Sequence, residues 1–211
     1  MKRYAGLHWL LPLLAKRFKV LEGLENIPKS GPCILAGNHV GSPDPIFIGA
    51  ATFQHTGRSA TFISYDRAVH AFGERRAYEW LGMIKKIEER PGEALPALRR
   101  ELELGNIVGI FPEGMRNAAP FLLPGKTGAA RLAHWTGAPV VPFGFNGPST
   151  WTFNQGLRAS LAFRRDLSLR IGKLLTFPVI DPDHLTKEQL VQTTRTIMAA
   201  IGELADRPSP Y

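Results

Sequence analysis

Short apolar runs alternate with helix-patterned runs along most of this 211-residue chain. Residues 33–37, 59–64, 83–87, 107–111 and 139–144 read as strands, and residues 45–54, 69–81, 91–104 and 125–136 read as helices. Gly41-Ser42-Pro43-Asp44 is a helix start and Gly105-Asn106 a helix stop. Parallel strands need a long crossover, usually a helix, so this alternation points to an α/β domain with a largely parallel central sheet flanked by helices. The tail breaks the pattern. Residues 160–163 and 167–171 read as strands with no clear helix between them, and residues 186–204 form a last helix. Thr186 and Gln189 make a capping box there, and Leu190, Ile197, Ile201 and Leu204 line one face. Nothing between them reads as a linker, so a single domain is expected.

An amphipathic helix precedes that domain. Met1-Lys2-Arg3 leads into an apolar stretch at residues 7–14, followed by Lys16-Arg17-Phe18-Lys19. The stretch is too short to span a bilayer. With Trp9 and leucines on one side and basic flanks, it reads as an interfacial helix; the alternative is a helix packed on the domain. The expected organisation is a membrane-surface segment at 1–20 and the main domain at 21–211. The chain carries 26 Lys and Arg against 18 Asp and Glu, a net charge of +8. That excess favours anionic partners, and an anionic membrane surface is the one expected. No run of five or more basic residues occurs, so nucleic acid is not expected. Cys33 is the only cysteine, which excludes an intramolecular disulfide and any metal site built on several thiolates. It lies in an apolar run and reads as core.

Three constellations carry chemistry. Asn38-His39-Val40-Gly41-Ser42-Pro43-Asp44 follows a strand, where ligands bind in parallel α/β sheets. His39 and Asp44 are out of register on a helix, but a turn through Gly41 and Pro43 can fold the carboxylate back onto the imidazole. Such a pair fixes the ring tautomer and leaves one nitrogen free to take a proton. The alternative is a loop histidine and a helix-capping aspartate that never meet. Phe111-Pro112-Glu113-Gly114-Met115-Arg116-Asn117 follows a second strand. A carboxylate there can bond hydroxyl groups and a guanidinium can grip phosphate, or the two form a solvated surface pair. Leu123-Pro124-Gly125-Lys126-Thr127-Gly128 opens a helix, and its amides together with Lys126 favour an anion. The spacing is not that of a P-loop.

Together these segments resemble the glycerolipid acyltransferases, the family that includes the 1-acyl-sn-glycerol-3-phosphate acyltransferases. Residues 38–44 resemble its N-H-x4-D motif, and residues 111–117 its F-P-E-G-T-R-S block, with Met115 for Thr and Asn117 for Ser. Lys126 to Ala133 and Ala138-Pro139-Val140-Val141-Pro142 resemble the stretch that closes the family's core. The resemblance covers roughly residues 20 to 175. It implies transfer of an acyl chain from acyl-CoA or acyl-carrier protein, a co-substrate, to the free hydroxyl of lysophosphatidate in phospholipid synthesis. His39 would be the general base and Asp44 its orienting partner. Glu113, Gly114 and Arg116 would bind the acceptor, with Asn38, Lys126 and Arg90 completing the candidate substrate contacts. No cofactor and no metal is implied. The implied location is the cytoplasmic face of the cell membrane, peripheral or monotopic.

The sequence departs from the family in one region. The family carries a glycine followed by an apolar-Asp-Arg turn whose arginine contacts phosphate. Here the matching stretch is Gly82-Met83-Ile84-Lys85-Lys86-Ile87-Glu88-Glu89-Arg90, with Glu89 where the arginine is expected. Arg67, Lys85, Lys86 or Arg90 are the candidates to replace it. A different acceptor is therefore the second reading: glycerol 3-phosphate, another lysophospholipid or a lipid-linked amine. A non-catalytic basic module that binds lipid or nucleic acid is the third.

Overall fold

Strand β2 (Cys33–Gly37) is buried along its whole length, and its side chains divide between two cores. Cys33 and Leu35 join one cluster with Phe47, Ile48 and Phe143. Ile34 and Ala36 join another with Leu98, Leu132 and Ile197. A strand that is apolar at every position needs cover on both faces, and helices supply it. The computed structural model describes residues 11–64, 82–85, 94–148 and 164–211, with the single positions 73, 76, 79, 155 and 158. Residues 1–10, most of the expected helix at 69–81 and the expected strand at 160–163 lie outside them.

The other elements are α1 (Leu11–Ala15), β1 (Phe18–Glu22), α2 (Asp44–Thr56), β3 (Ala60–Ser64), β4 (Met83–Lys85), α3 (Ala94–Glu103), β5 (Ile107–Ile110), α4 (Gly128–Thr136), β6 (Val140–Asn146), β7 (Leu167–Ile171) and α5 (Lys187–Ala205). The seven strands form one sheet in the order β1-β7-β6-β2-β5-β3-β4. The five from β6 to β4 are mutually parallel, while β7 runs antiparallel to β6 and β1 parallel to β7. This is the α/β architecture that the sequence pattern predicts. α1 and α2 pack on one face, and α3, α4 and α5 on the other.

Local chemistry sets most of the boundaries. Gly57 and Gly137 end α2 and α4 in left-handed conformation, each returning its N–H to a carbonyl of the last turn at 2.8 Å. The capping box of Thr186 and Gln189 opens α5 as expected. Two boundaries differ from the sequence reading. α4 starts at Gly128 rather than residue 125, and the Lys126 N–H before it donates to the carbonyl of Pro112, 2.8 Å away. Residues 18–22 form a strand that the pattern did not announce, since its pairing partner β7 lies some 150 residues further along the chain. The boundary drawn at residue 20 therefore falls inside β1. Leu11 and Leu14 are buried in the same cluster as Phe47 and Ile48, so this part of the N-terminal segment packs on the domain.

Two glycines admit aromatic rings against the sheet. A Cβ on Gly37 would lie 2.1 Å from the ring of Phe143, and one on Gly109 would lie 2.0 Å from the ring of Phe62. Gly109→Ala should therefore destabilise the fold by about 1–3 kcal/mol through overpacking, read by urea unfolding. Burial pushes the Cys33 thiol from 9.0 up to about 12, with Arg58 opposing in part. The native thiol should resist a thiol reagent that labels the unfolded chain at once. Because the folded value is raised, stability should be intact below pH 9 and fall as pH rises from 9 towards 12.

Candidate active site

The register of β2 against its two neighbours builds the site. β2 pairs in parallel with β5 on one side and β6 on the other, aligning Ala36 with Ile110 and Gly37 with Phe143. The chain leaves β2 and β5 at the same level, so His39 and Phe111 emerge side by side. Their rings stack with centroids 4.1 Å apart and planes 14° from parallel. Phe111 in turn stacks on Phe62 at 5.8 Å and meets Phe143 edge-on at 6.1 Å. The imidazole thus rests on an aromatic floor whose lower rings occupy the space left by Gly109 and Gly37.

The turn through Gly41 and Pro43 folds Asp44 back as the sequence suggests. Asp44 Oδ2 lies 3.0 Å from His39 Nδ1 and also accepts the Val40 and Gly41 N–H groups, each at 2.7 Å. An ionised carboxylate can only accept, so Nδ1 carries the hydrogen, and in the neutral ring Nε2 is then the nitrogen with the lone pair. Asp44 is 3% exposed and His39 14%. The carboxylate is sealed in while the ring keeps an opening to solvent, as a base that receives a proton from a substrate requires.

The turn after β5 locks onto this loop. The Asn117 N–H donates to the His39 carbonyl at 2.7 Å, and Arg116 Nη1 donates to Ser42 Oγ at 2.8 Å. Glu113 is buried at 4% exposure. Its Oε2 accepts from Asn117 Nδ2 at 2.6 Å and from the Leu123 N–H at 2.9 Å. Its Oε1 is buried with no hydrogen-bond partner among the described residues. Gly114 has φ +72°, and a Cβ there would lie 2.8 Å from Lys126 Nζ. The glycine lets the lysine side chain lie across the turn.

The structure thus brings His39, Asp44, Glu113, Gly114, Arg116 and Lys126 to one edge of the sheet. Asn38 is used differently from the expectation that it contacts substrate. Its Nδ2 donates to the Phe145 carbonyl and its Oδ1 accepts the Phe145 N–H, both at 2.8 Å, which brackets β2 to β6 and leaves its side chain buried. Arg90, with Arg67, Lys86, Glu88 and Glu89, lies outside the described residues; Lys85 lies on β4. Ser42 and the stacking role of Phe111 were not singled out from sequence, although both sit inside the motifs. Among the described residues no three His, Cys, Asp or Glu side chains gather as a metal site.

Fold and site define an α/β domain with a His–Asp pair at the carboxyl edge of a largely parallel sheet. The chain belongs to the acyltransferase family, whose pattern matches residues 19–146. It is 28% identical over 194 residues to the 1-acyl-sn-glycerol-3-phosphate acyltransferase of Bacillus subtilis, covering 87% of this chain and 86% of that one. A protein of the same description from Borreliella burgdorferi is 26% identical over 185 residues, 83% of this chain and 68% of that one. The chloroplastic 1-acyl-sn-glycerol-3-phosphate acyltransferase BAT2 of Brassica napus is 34% identical over 126 residues, 58% of this chain and 35% of that longer protein. In fold the chain is similar to the crystal structure of the 1-acyl-sn-glycerophosphate acyltransferase PlsC of Thermotoga maritima. The TM-score is 0.61 at 22% identity, covering 94% of this chain and 81% of that one.

The unequal burial of the pair yields a prediction. Asp44→Ala removes the acceptor of two backbone N–H groups and should cost about 2–5 kcal/mol of stability. His39→Ala, at a partly exposed ring, should cost about 1 kcal/mol or less. Thermal unfolding of both variants checks the order.

Proposed function

We propose that this chain transfers an acyl group from acyl-CoA or acyl-carrier protein to the free hydroxyl of lysophosphatidate, giving phosphatidate. The carrying observation is the bond from His39 Nδ1 to Asp44 Oδ2, which leaves Nε2 for a substrate proton, on a loop tied through Asn117 to the turn that holds Glu113. The names of the relatives supply the acceptor.

In this mechanism the acceptor hydroxyl bonds to His39 Nε2. As its oxygen attacks the thioester carbonyl, the proton passes to Nε2. The imidazolium is held by Asp44 Oδ2 and by the face of Phe111, which favours a cation. The tetrahedral intermediate collapses, the C–S bond breaks and the leaving thiolate takes the proton back from Nε2. No acyl-enzyme forms and no metal or other cofactor takes part. Glu113 Oε1 accepts from an acceptor hydroxyl. Arg116, already tied to Ser42 through one nitrogen, offers its remaining donors to the phosphate, and Lys126 across Gly114 adds a second positive charge.

The enzyme would work at the cytoplasmic face of the cell membrane as a peripheral or monotopic protein, held by an anionic surface. The net charge of +8 supports this. No helix of the described residues is long and apolar enough to cross a membrane.

A matrix of acyl donors against acceptors tests the reading. The acceptors are lysophosphatidate, glycerol 3-phosphate, other lysophospholipids and a lipid-linked amine. Lysophosphatidate should give the highest kcat/KM, and His39→Ala should lower turnover by about 10²–10⁴-fold while remaining folded. Full turnover in His39→Ala would sink the mechanism. Preference for another acceptor would reassign the substrate, and salt-dependent retention on nucleic acid without any transfer would point to a binding module.

A further inference from the structure

The last helix does more than cover the sheet. α5 is capped by Asp206, whose φ of +54° is the only positive value at a non-glycine residue among the described residues. Such a conformation persists only where its surroundings hold it. Asp206 Oδ2 accepts from Arg170 Nη1 on β7 at 2.6 Å, and the Arg207 N–H returns to the Gly202 carbonyl at 3.0 Å. A Cβ on Gly202 would lie 2.8 Å from the Arg207 carbonyl oxygen, so glycine permits this close pass.

The turn sends residues 207–211 back across the loop that follows the Glu113 turn. Arg207 Nη1 donates to the carbonyls of Asn117 at 3.2 Å and Ala119 at 2.8 Å. The Leu122 N–H donates to the Pro208 carbonyl at 2.9 Å, and Tyr211 reaches the Gly125 carbonyl. Asn117 is the junction beneath this strap, buried at 6% exposure. Its N–H holds the His39 carbonyl, its Nδ2 donates to Glu113 Oε2 and the Phe121 carbonyl, and its Oδ1 accepts the Ala119 N–H at 2.9 Å. Every polar group of this residue is committed. A hydroxyl side chain has one hydrogen and could not serve Glu113 and Phe121 together.

We propose that Asn117 and Arg207 are positioning residues of the acceptor site: the segment after α5 clamps the loop at 117–125, and Asn117 converts that clamp into a fixed distance between His39 and the vacant oxygen of Glu113. This rests on the acyltransferase reading. Neither residue touches substrate. Asn117 and the Leu123 N–H together hold Oε2, so Oε1 is the oxygen left for the acceptor, and the strap fixes the loop that carries both donors.

The test uses the full chain with Arg207→Ala, Arg207→Lys and Asn117→Ser. It measures acyl transfer from acyl-CoA to lysophosphatidate in detergent micelles, together with amide hydrogen exchange and melting temperature. Arg207→Ala, which removes both side-chain bonds to the loop, should raise the acceptor KM about tenfold and leave the donor KM within about twofold. Arg207→Lys should restore most of it, and exchange should quicken at Asn117, Leu122 and Leu123 in Arg207→Ala alone. Asn117→Ser should show the same acceptor-specific defect and carries the test if Arg207→Ala does not fold. Wild-type acceptor KM and wild-type exchange in Arg207→Ala would overturn the proposal, as would an equal loss for donor and acceptor tracking the melting temperature. Quickened exchange in a chain whose wild type acylates no acceptor would support the strap and overturn the acyltransferase reading.

Discussion

The parallel pairing of β2 between β5 and β6 is the constraint on which the site depends. It levels the carboxyl ends of the strands, so the loops after Gly37 and Ile110 leave the sheet together. The distances between functional groups follow from that register. A slip of one residue would turn each strand over and send Cys33 and Leu35 to the wrong core. Both faces of β2 are closed by apolar side chains, so hydrophobic burial on two sides holds the register that the chemistry uses. Asn38 reinforces it from within by bonding both amide groups to Phe145.

Polar atoms at this edge are nearly all spoken for, which gives the few free ones their meaning. Oδ2 of Asp44 gathers three donors, and Asn117 commits its whole bonding capacity. A buried acceptor without a partner is costly in a folded protein. Glu113 Oε1 is such an atom, and it sits in the turn whose other members already face His39 and Ser42. A ligand hydroxyl would recover that cost. The scaffold therefore spends its bonds on fixing groups and leaves Glu113 Oε1 without one.

Much of this was legible in the chain. Continuous apolar runs punctuated by helix signals gave the strand order in sequence and the cover on both faces, because side-chain periodicity and capping are local. His39, Asp44, Glu113 and Arg116 were found because they follow strands, where a parallel sheet presents its loops. Asn38 was misjudged, since it adjoins the candidate base in sequence while its own partner, Phe145, is 107 residues away. β1 was missed for the same reason: residues 18–22 become a strand only when β7 lies beside them. Arg207 carried no signal, because its partners are carbonyls about ninety residues earlier, which any sequence provides.

The sequence by itself determined the alternation of strands and helices, the caps, the buried character of Cys33 and the meeting of His39 with Asp44. Each depends on neighbours within a turn or two, where spacing and residue type suffice. Only the tertiary structure decided which tautomer His39 adopts, which oxygen of Glu113 stays vacant, that Asn38 braces the sheet and that the segment after α5 closes over the acceptor loop. These rest on hydrogen bonds between segments far apart in the chain, whose geometry exists only once the sheet has set its register.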